Sequence, residues 1–189
     1  MFDKVSSARQ VIAVVGPMAA GKNHISSQLE QEGWSSVDAD LLVHDAIDIA
    51  KDRILDTFIP YAQQRNIKIT KADGSINRRE LGRLLFAIPE LLTIQESIVY
   101  PIITTQIKEF IDSHEKTIIN ATVLYKTPEL LALCQKIIYV TAPLATRIKR
   151  ARQRDNLPYR QIFRRFWAQR NLLQEYKACD IPMEIIKNN

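Results

Sequence analysis

Apolar residues recur along this chain in two periods, one close to continuous and one helical, and the two alternate. Val11 to Val15 (VIAVV) is an unbroken β-rich run, the pattern of a strand buried on both faces of a parallel sheet. Lys22 to Glu32 reads as a helix, with Ile25 and Leu29 at helical spacing and Gly33 as its stop. Trp34 to Val37 reads as a second strand that delivers Asp38-Ala39-Asp40 at its carboxyl end. From His44 to Phe58, the residues Ile47, Ile54, Leu55 and Phe58 make one apolar helical face. Asp73-Gly74 marks a turn between the short extended pieces Asn66 to Thr70 and Ser75-Ile76. Asn77 with Glu80 three residues on has the form of a capping box ahead of the stripe Leu81, Leu84, Leu85 and Ile88, which Pro89 ends.

Pro101 falls where a first-turn proline belongs, followed by Ile103, Ile107, Phe110 and Ile111 as another buried face. Thr117 to Ala121 and Lys136 to Val140 are further short strands, separated by a helix-like stretch from Thr127 to Leu133. The final third is helical, with starts at Pro143 and Pro158. There Phe163, Phe166 and Trp167 read as core packing rather than as a stack for an adenine ring. Short aliphatic strands alternating with helices predict a layered α/β fold with a mainly parallel sheet. The mostly helical middle region has no strand long enough for that sheet and reads as an inserted lobe.

At 189 residues, 46% apolar and 25% charged, the chain suits one domain with a substantial core, and disorder is not the default reading. No apolar run approaches the length of a bilayer span and the first ten residues have no apolar core, so no membrane contact and a cytoplasmic location are expected. Cys134 and Cys179 have no metal-like spacing and read as reduced, non-catalytic thiols. Charge changes the picture more. The net charge is +5, yet residues 147 to 170 alone carry +8, from Lys149 and eight arginines against Asp155. One basic segment on a near-neutral body suits a phosphate clamp better than a nucleic-acid surface, so no nucleic-acid partner is expected.

The candidate chemistry lies between the first strand and the first helix. Gly16-Pro17-Met18-Ala19-Ala20-Gly21-Lys22-Asn23 matches G-x-x-x-x-G-K, the phosphate loop whose main-chain amides curl around a polyphosphate at a helix N-terminus. Lys22 would neutralise the β and γ oxygens of a triphosphate. The next position is ordinarily Ser or Thr, whose hydroxyl binds Mg2+; here it is Asn23, and an amide carbonyl is also a hard oxygen ligand.

With Asp38-Ala39-Asp40 and His44 added to the loop, the chain resembles the dephospho-coenzyme A kinases. Asp73 to Leu81 looks like their D-G-x-(L/I)-x-R-R-x-L segment, continued by Leu85-Phe86 and Pro89. Lys149 to Asp155 looks like a lid ending K-R-x-x-x-R-D, while Ala168-Gln169 and Asn188-Asn189 echo the family as well. Four places depart from the pattern: Asn23, Tyr100-Pro101 in place of His-Pro, Asn120 to Tyr125 in place of P-L-L-(F/Y)-E, and an irregular tail containing Pro182.

The resemblance implies a P-loop NTPase-type three-layer α/β/α fold with a five-stranded, mainly parallel sheet. Residues 1–44 and 101–146 would form its nucleotide-binding core and 45–100 a helical substrate-binding lobe. Residues 147–175 would be an arginine-rich lid, and 176–189 a return to the core. It implies a phosphotransferase with an alcohol acceptor, moving the γ-phosphoryl of ATP to the ribose 3′-hydroxyl of dephospho-coenzyme A with Mg2+, as a monomer or weak homo-oligomer. ATP contacts are expected from residues 16–23, His24, Arg150, Arg154 and Asn188. Substrate contacts are expected from Asp40, His44, Arg78, Arg79, Leu85 and Tyr100, and metal contacts from Asn23 and Asp40. Lys22, Asp40 and Arg150 are the expected catalytic set.

Each role has a plainer counterpart. Asp40 either handles the hydroxyl proton or caps the following helix, with Asp38 the second choice. His44 either touches substrate or covers that helix. Of the adjacent Arg78 and Arg79, which point in different directions on a helix, one reaches substrate. Arg147, Arg150 and Arg154 share one helical face, which is either a clamp, with Arg150 and Arg154 as its pair, or a solvated basic surface. Another nucleoside or nucleotide kinase, or a P-loop module binding nucleotide or RNA without turnover, are the competing readings.

Overall fold

The run Val11–Val15 becomes the middle of a five-stranded sheet in a computed structural model of the protein, which describes residues 9–156 and 158–188. The expectations for residues 1–8, for the Asp155 side chain and for Asn189 lie outside the described residues. β1 (Gln10–Val15) is flanked by β3 (Lys116–Ala121) and β4 (Lys136–Thr141), with β2 (Ser35–Asp38) and β5 (Met183–Lys187) at the edges. All four pairings are parallel, as continuous aliphatic strands require when both faces are covered. From β1 the chain moves outward to β2, returns to β3, and then crosses to β4 on the other side of β1. The order therefore reverses at β1, and the crevice at the carboxyl ends of the strands there is where such sheets bind ligands.

One face of the sheet presents Ile12, Val14, Ile118, Ile138 and Val140. They pack with Ile25 and the partly buried Leu29 of α1 (Lys22–Gln31). On the other face α9 (Leu172–Lys177) sets Tyr176, fully buried, edge-on to Tyr139. Helices on both faces give the expected three layers.

The fifth strand falls within residues 176–189, the expected return to the core. Met183–Lys187 pairs with β4 in the register Tyr139↔Ile185 and Thr141↔Lys187. As an edge strand with one neighbour it tolerates Glu184 and Lys187, and so lacks the aliphatic signature of the inner strands.

The chain divides into two units. The first runs to Asp40 and resumes at Ile107; the second is Leu41–Gln106. The second unit is built from most of α2 (Ala39–Ile49), α3 (Lys51–Gln64), α4 (Arg78–Ala87) and most of α5 (Pro89–Ser113). Its core includes Ile47, Ile54, Phe58, Leu81, Leu84, Leu85, Leu91, Ile98 and Val99. The capping expectation holds, since the Asn77 side chain accepts the Glu80 amide at 3.3 Å. The turn at Asp73-Gly74 also holds, closing a single antiparallel bridge between Thr70 and Ile76.

Three expectations are corrected. The single helix through His44–Phe58 is two helices, because Ala50 leaves helical geometry at φ −89°, ψ 17° while Ile47 and Ile54 both remain buried. Pro101 does not start a helix. It lies inside α5, where buried residues before it (Leu91, Ile98, Val99) and after it (Ile103, Ile107) keep the helix continuous across the missing N–H. Finally, of the three aromatic residues Phe163, Phe166 and Trp167 in α8 (Tyr159–Ala168), only Phe166 is core. Phe163 and Trp167 are 51% and 70% exposed, because the buried stripe of this helix is Ile162 and Phe166. The Arg170 guanidinium covers one face of the Trp167 ring at 4.8 Å.

Among the described residues no helix is long and apolar enough to cross a membrane. Both cysteines are free thiols, and burial pushes that of Cys134 up to about 12.

Candidate active site

The phosphate loop is shaped by what surrounds it. At Gly16, φ +148°, a Cβ would lie 2.1 Å from the Val140 carbonyl oxygen, so only glycine lets the chain leave β1 here. At Gly21, φ +99°, a Cβ would lie 1.8 Å from Asn188 Nδ2. Between them Ala19 is held in the left-handed region at φ +62°, a conformation alanine adopts only when its surroundings impose it.

Those surroundings come from the basic helix and the tail. Met18 forms an apolar cluster with Ala151 of α7 (Leu144–Asp155) and with Ile162 and Phe166 of α8. The Met18 N–H donates to Gln169 Oε1 at 2.8 Å, and its carbonyl accepts from Arg147 Nε at 3.0 Å. The Ala20 carbonyl accepts from Asn188 Nδ2 at 3.1 Å and from Arg150 Nη1 at 3.4 Å. Asn188 is fixed in turn, its N–H donating to the Thr141 carbonyl at 2.7 Å.

Arg147 therefore braces the loop, and its guanidinium also sits 4.2 Å from the Phe166 ring centre. Arg152, pointing elsewhere as helical phase requires, lies over Tyr159 at 5.5 Å. Arg150 and Arg154, with Ala19, Gly21, Lys22, Asn23 and Gln153, line a hollow of about 470 Å³ in front of the loop. Helix α1 opens onto this loop with Gly21 at its N-cap, no side chain bonding to its first amides and no acid in its first turn. Those uncapped amides and the helix dipole favour an anion. His24 is exposed in that first turn.

Lys22 Nζ donates to the Gly16 carbonyl at 3.2 Å and to Thr122 Oγ1 at 3.1 Å. Burial holds its pKa below the ordinary lysine value, an effect the Asp40 and Asp38 carboxylates partly offset. Asp38, at the end of β2, accepts the Asp40 N–H at 2.9 Å and so takes the capping role at the start of α2. Asp40 is thereby relieved of that duty. Its two oxygens accept from Thr122, one from the main-chain N–H at 3.3 Å and the other from the hydroxyl at 2.7 Å.

Asn23 and Asn120 form a pair of carboxamides, with Asn120 Nδ2 donating to Asn23 Oδ1 at 2.9 Å. Asn120 is 3% exposed, and its own Oδ1 is buried with no partner among the described residues. Substituting Asn23 by serine withdraws the one bond that the Asn120 side chain makes among the described residues. Asn23→Ser is expected to destabilise the protein by about 1–3 kcal/mol in denaturant unfolding. Adding Asn120→Ala, which removes the stranded group, is expected to recover part of that loss; a double variant less stable than the sum of the singles would exclude this account.

The remaining expected contacts lie in the second unit and are described within it. Arg78 is ion-paired with Asp48 and donates to the His44 carbonyl at 3.3 Å, so it ties α4 to α2. Arg79 and the His44 side chain are exposed, and Tyr100 is half-buried on α5. Leu85 is corrected: at 4% exposure beside Leu81 and Leu84, its side chain is part of the core rather than available to a ligand.

Sequence reasoning missed Thr122, Asn120, Gln169 and Tyr176. Thr122 and Asn120 sit in the segment that departs from the resembled pattern, which was the available signal. Gln169 was visible only as part of a shared dipeptide, and nothing in the sequence singled out Tyr176.

The dephospho-CoA kinase family model matches residues 10–189. The dephospho-CoA kinase of Treponema pallidum (strain Nichols) is 32% identical over 183 residues, covering 94% of this chain and 86% of that protein. That of Treponema denticola is 32% identical over 184 residues, covering 94% and 82%. Among solved structures, TT1252 from Thermus thermophilus aligns with a TM-score of 0.77 at 22% identity, covering 96% of this chain and 90% of that one. The dephospho-CoA kinase from Campylobacter jejuni aligns with a TM-score of 0.61 at 22% identity, covering 95% and 88%. The two structures speak for the fold; the family model, matching nearly the full length, and the two Treponema relatives speak for descent, and the chain belongs to the dephospho-CoA kinase family.

Proposed function

We propose that this protein transfers the γ-phosphoryl group of ATP to the ribose 3′-hydroxyl of dephospho-CoA, giving CoA and ADP. The observation that carries this reading is family membership over residues 10–189. Within the first unit, the phosphate loop, Lys22, the arginine pair and the Asp40 carboxylate supply the parts such a transfer needs. The chemistry is positioning and charge neutralisation more than covalent catalysis.

The loop amides, the α1 N-terminus and Lys22 hold the β and γ phosphates. Arg150 and Arg154, facing the same hollow, neutralise charge that spreads over the phosphoryl oxygens during transfer. Asp40 accepts the proton as the ribose oxygen bonds to the γ-phosphorus and the bond to the β–γ bridging oxygen breaks, ADP leaving with that oxygen. In the second unit Arg79 is the better hand for the substrate, since Arg78 is engaged with Asp48. His44 and Tyr100 are further candidates for substrate contact.

The donor set fits Mg2+. Asp40 and Asn23 offer hard oxygens, each with lone pairs beyond those already in hydrogen bonds. Among the described residues no cluster of three or more His, Cys, Asp or Glu forms a metal cage, which suits an ion held by one or two side chains, phosphate oxygens and water. When bound, the ion supplies charge neutralisation at the phosphates. A cytoplasmic location and a monomeric or weakly self-associating state complete the reading.

The test is an acceptor screen with ATP and Mg2+, locating the new phosphate by mass spectrometry and phosphorus NMR. Dephospho-CoA is expected to be phosphorylated at the ribose 3′ position, with little transfer to AMP, CMP or shikimate. Faster transfer to one of those acceptors would reassign the substrate. ATP binding without transfer to any acceptor would leave a nucleotide-binding module.

A further inference from the structure

Residue 122 is the first after β3, and β3 lies between the strand that leads into the phosphate loop and the strand that leads to Asp40. A short side chain there reaches both. The geometry points to Thr122 as a positioning residue that fixes Asp40 and holds Lys22 apart from it, an inference that rests on the role proposed above for Asp40.

The hydrogen bonds have only one consistent polarity. An ammonium can only donate, so Lys22 Nζ donates to Thr122 Oγ1, at 3.1 Å. The single hydroxyl proton is then committed to Asp40 Oδ2, at 2.7 Å. The Thr122 N–H adds a second contact to Asp40 Oδ1 at 3.3 Å, so the carboxylate is gripped at both oxygens. Among the described residues no direct ion pair joins Lys22 to Asp40. This separation has a use. A carboxylate closed onto the ammonium would occupy two groups with different work, one facing phosphate and the other facing a hydroxyl. The threonine hydroxyl keeps both oriented while leaving each replaceable by a ligand atom.

Thr122 is itself held from inside the protein. Its carbonyl accepts from the Tyr176 hydroxyl at 3.1 Å, and the same phenol oxygen accepts the Leu124 N–H at 2.8 Å. Tyr176 is fully buried, with Tyr125 and Tyr139 edge-on to it, and burial raises its pKa so that it stays a neutral donor. A buried phenol thus pins the main chain of Thr122–Leu124, the main chain aims the threonine, and the threonine aims Asp40.

Thr122→Val keeps the β-branched shape and the main-chain N–H and deletes only the hydroxyl. With dephospho-CoA as acceptor, kcat is expected to fall about ten- to hundredfold, the scale set by misplacing a catalytic group. The KM for ATP and the affinity for ADP should stay within about twofold, since Lys22 loses only a partner that phosphate replaces. Thr122→Ser, which restores the hydroxyl, should recover most of the loss. On an Asp40→Asn background, Thr122→Val should add less than about threefold, because its effect passes through Asp40. A kcat for Thr122→Val within about threefold of the parent overturns the proposal. So does a full additional loss on the Asp40→Asn background, or a serine variant as slow as the valine one. If Asp40→Asn itself turns over normally, the role assigned to Asp40 fails first, which separates the two failures.

Discussion

Lys22→Ala is expected to lower kcat/KM by at least about 10²- to 10³-fold while leaving the fold intact. The magnitude is that of removing one preorganised charge donor from a phosphoryl-transfer site. The intact fold follows from the energetics of the lysine itself. Its ammonium makes two hydrogen bonds, but it makes them where burial disfavours charge, as the lowered pKa records. Removing it forfeits those bonds and also the cost of burying an ion, so thermal unfolding should move little in either direction.

The same lowered pKa gives the binding equilibrium a sign. Phosphate raises the pKa of Lys22 by pairing with it, so the complex prefers the protonated form. Below the lowered value in the free protein, Lys22 is already charged and ADP affinity does not depend on its titration. Above that value a proton must be taken up on binding, and affinity should fall by up to about tenfold per pH unit until the lysine titrates in the complex as well. Calorimetric titration of ADP from neutral to alkaline pH checks the direction, and the fall should vanish in Lys22→Ala. Unchanged turnover in that variant would remove the phosphate-loop assignment.

What the sequence disclosed and what it concealed divide along contact distance. The loop, the strand before it and the cap at Asn77 carry their signal in consecutive residues: the strand in an unbroken apolar run, the loop in two glycines at fixed spacing, and the cap in a bond that spans three residues. The brace around the loop is of another kind. Gln169 reaches Met18 across 151 residues and Asn188 reaches Ala20 across 168. No periodicity records such contacts, and Asn and Gln serve equally well in turns and on surfaces. The same holds for Thr122, which meets Asp40 across 82 residues. Pattern reading also overweighted single residue types. Proline at 101 suggested a helix start and aromatic residues at 163 and 167 suggested core, whereas burial on both sides of Pro101 and the narrow Ile162–Phe166 stripe decided otherwise. The arginine face was legible, with Arg150 and Arg154 as its pair, but the part played by Arg147 was not. Only the packing shows Arg147 turned to the loop carbonyl while Arg150 and Arg154 line the hollow.

The two acids at the junction of β2 and α2 can be told apart by experiment. Asp40→Asn is expected to reduce kcat by about 10²- to 10⁴-fold, the range for loss of a general base, with the KM for ATP nearly unchanged. Its effect on stability should be small, about 0.5–1.5 kcal/mol. Asparagine keeps an oxygen for the Thr122 hydroxyl and forfeits only the longer contact to the Thr122 N–H. Asp38→Ala should show the opposite balance. It removes the oxygen that accepts the Asp40 N–H at 2.9 Å, so the start of α2 loses its cap and unfolding should become easier by about 0.5–2 kcal/mol. Turnover should suffer far less, and indirectly, through looser placement of Asp40. Parallel kinetics and denaturant unfolding on the two variants decide the matter. A turnover loss in Asp38→Ala as deep as in Asp40→Asn, without a matching loss of stability, would move the proton-accepting role to Asp38. The helix cap and the base would then be the same residue.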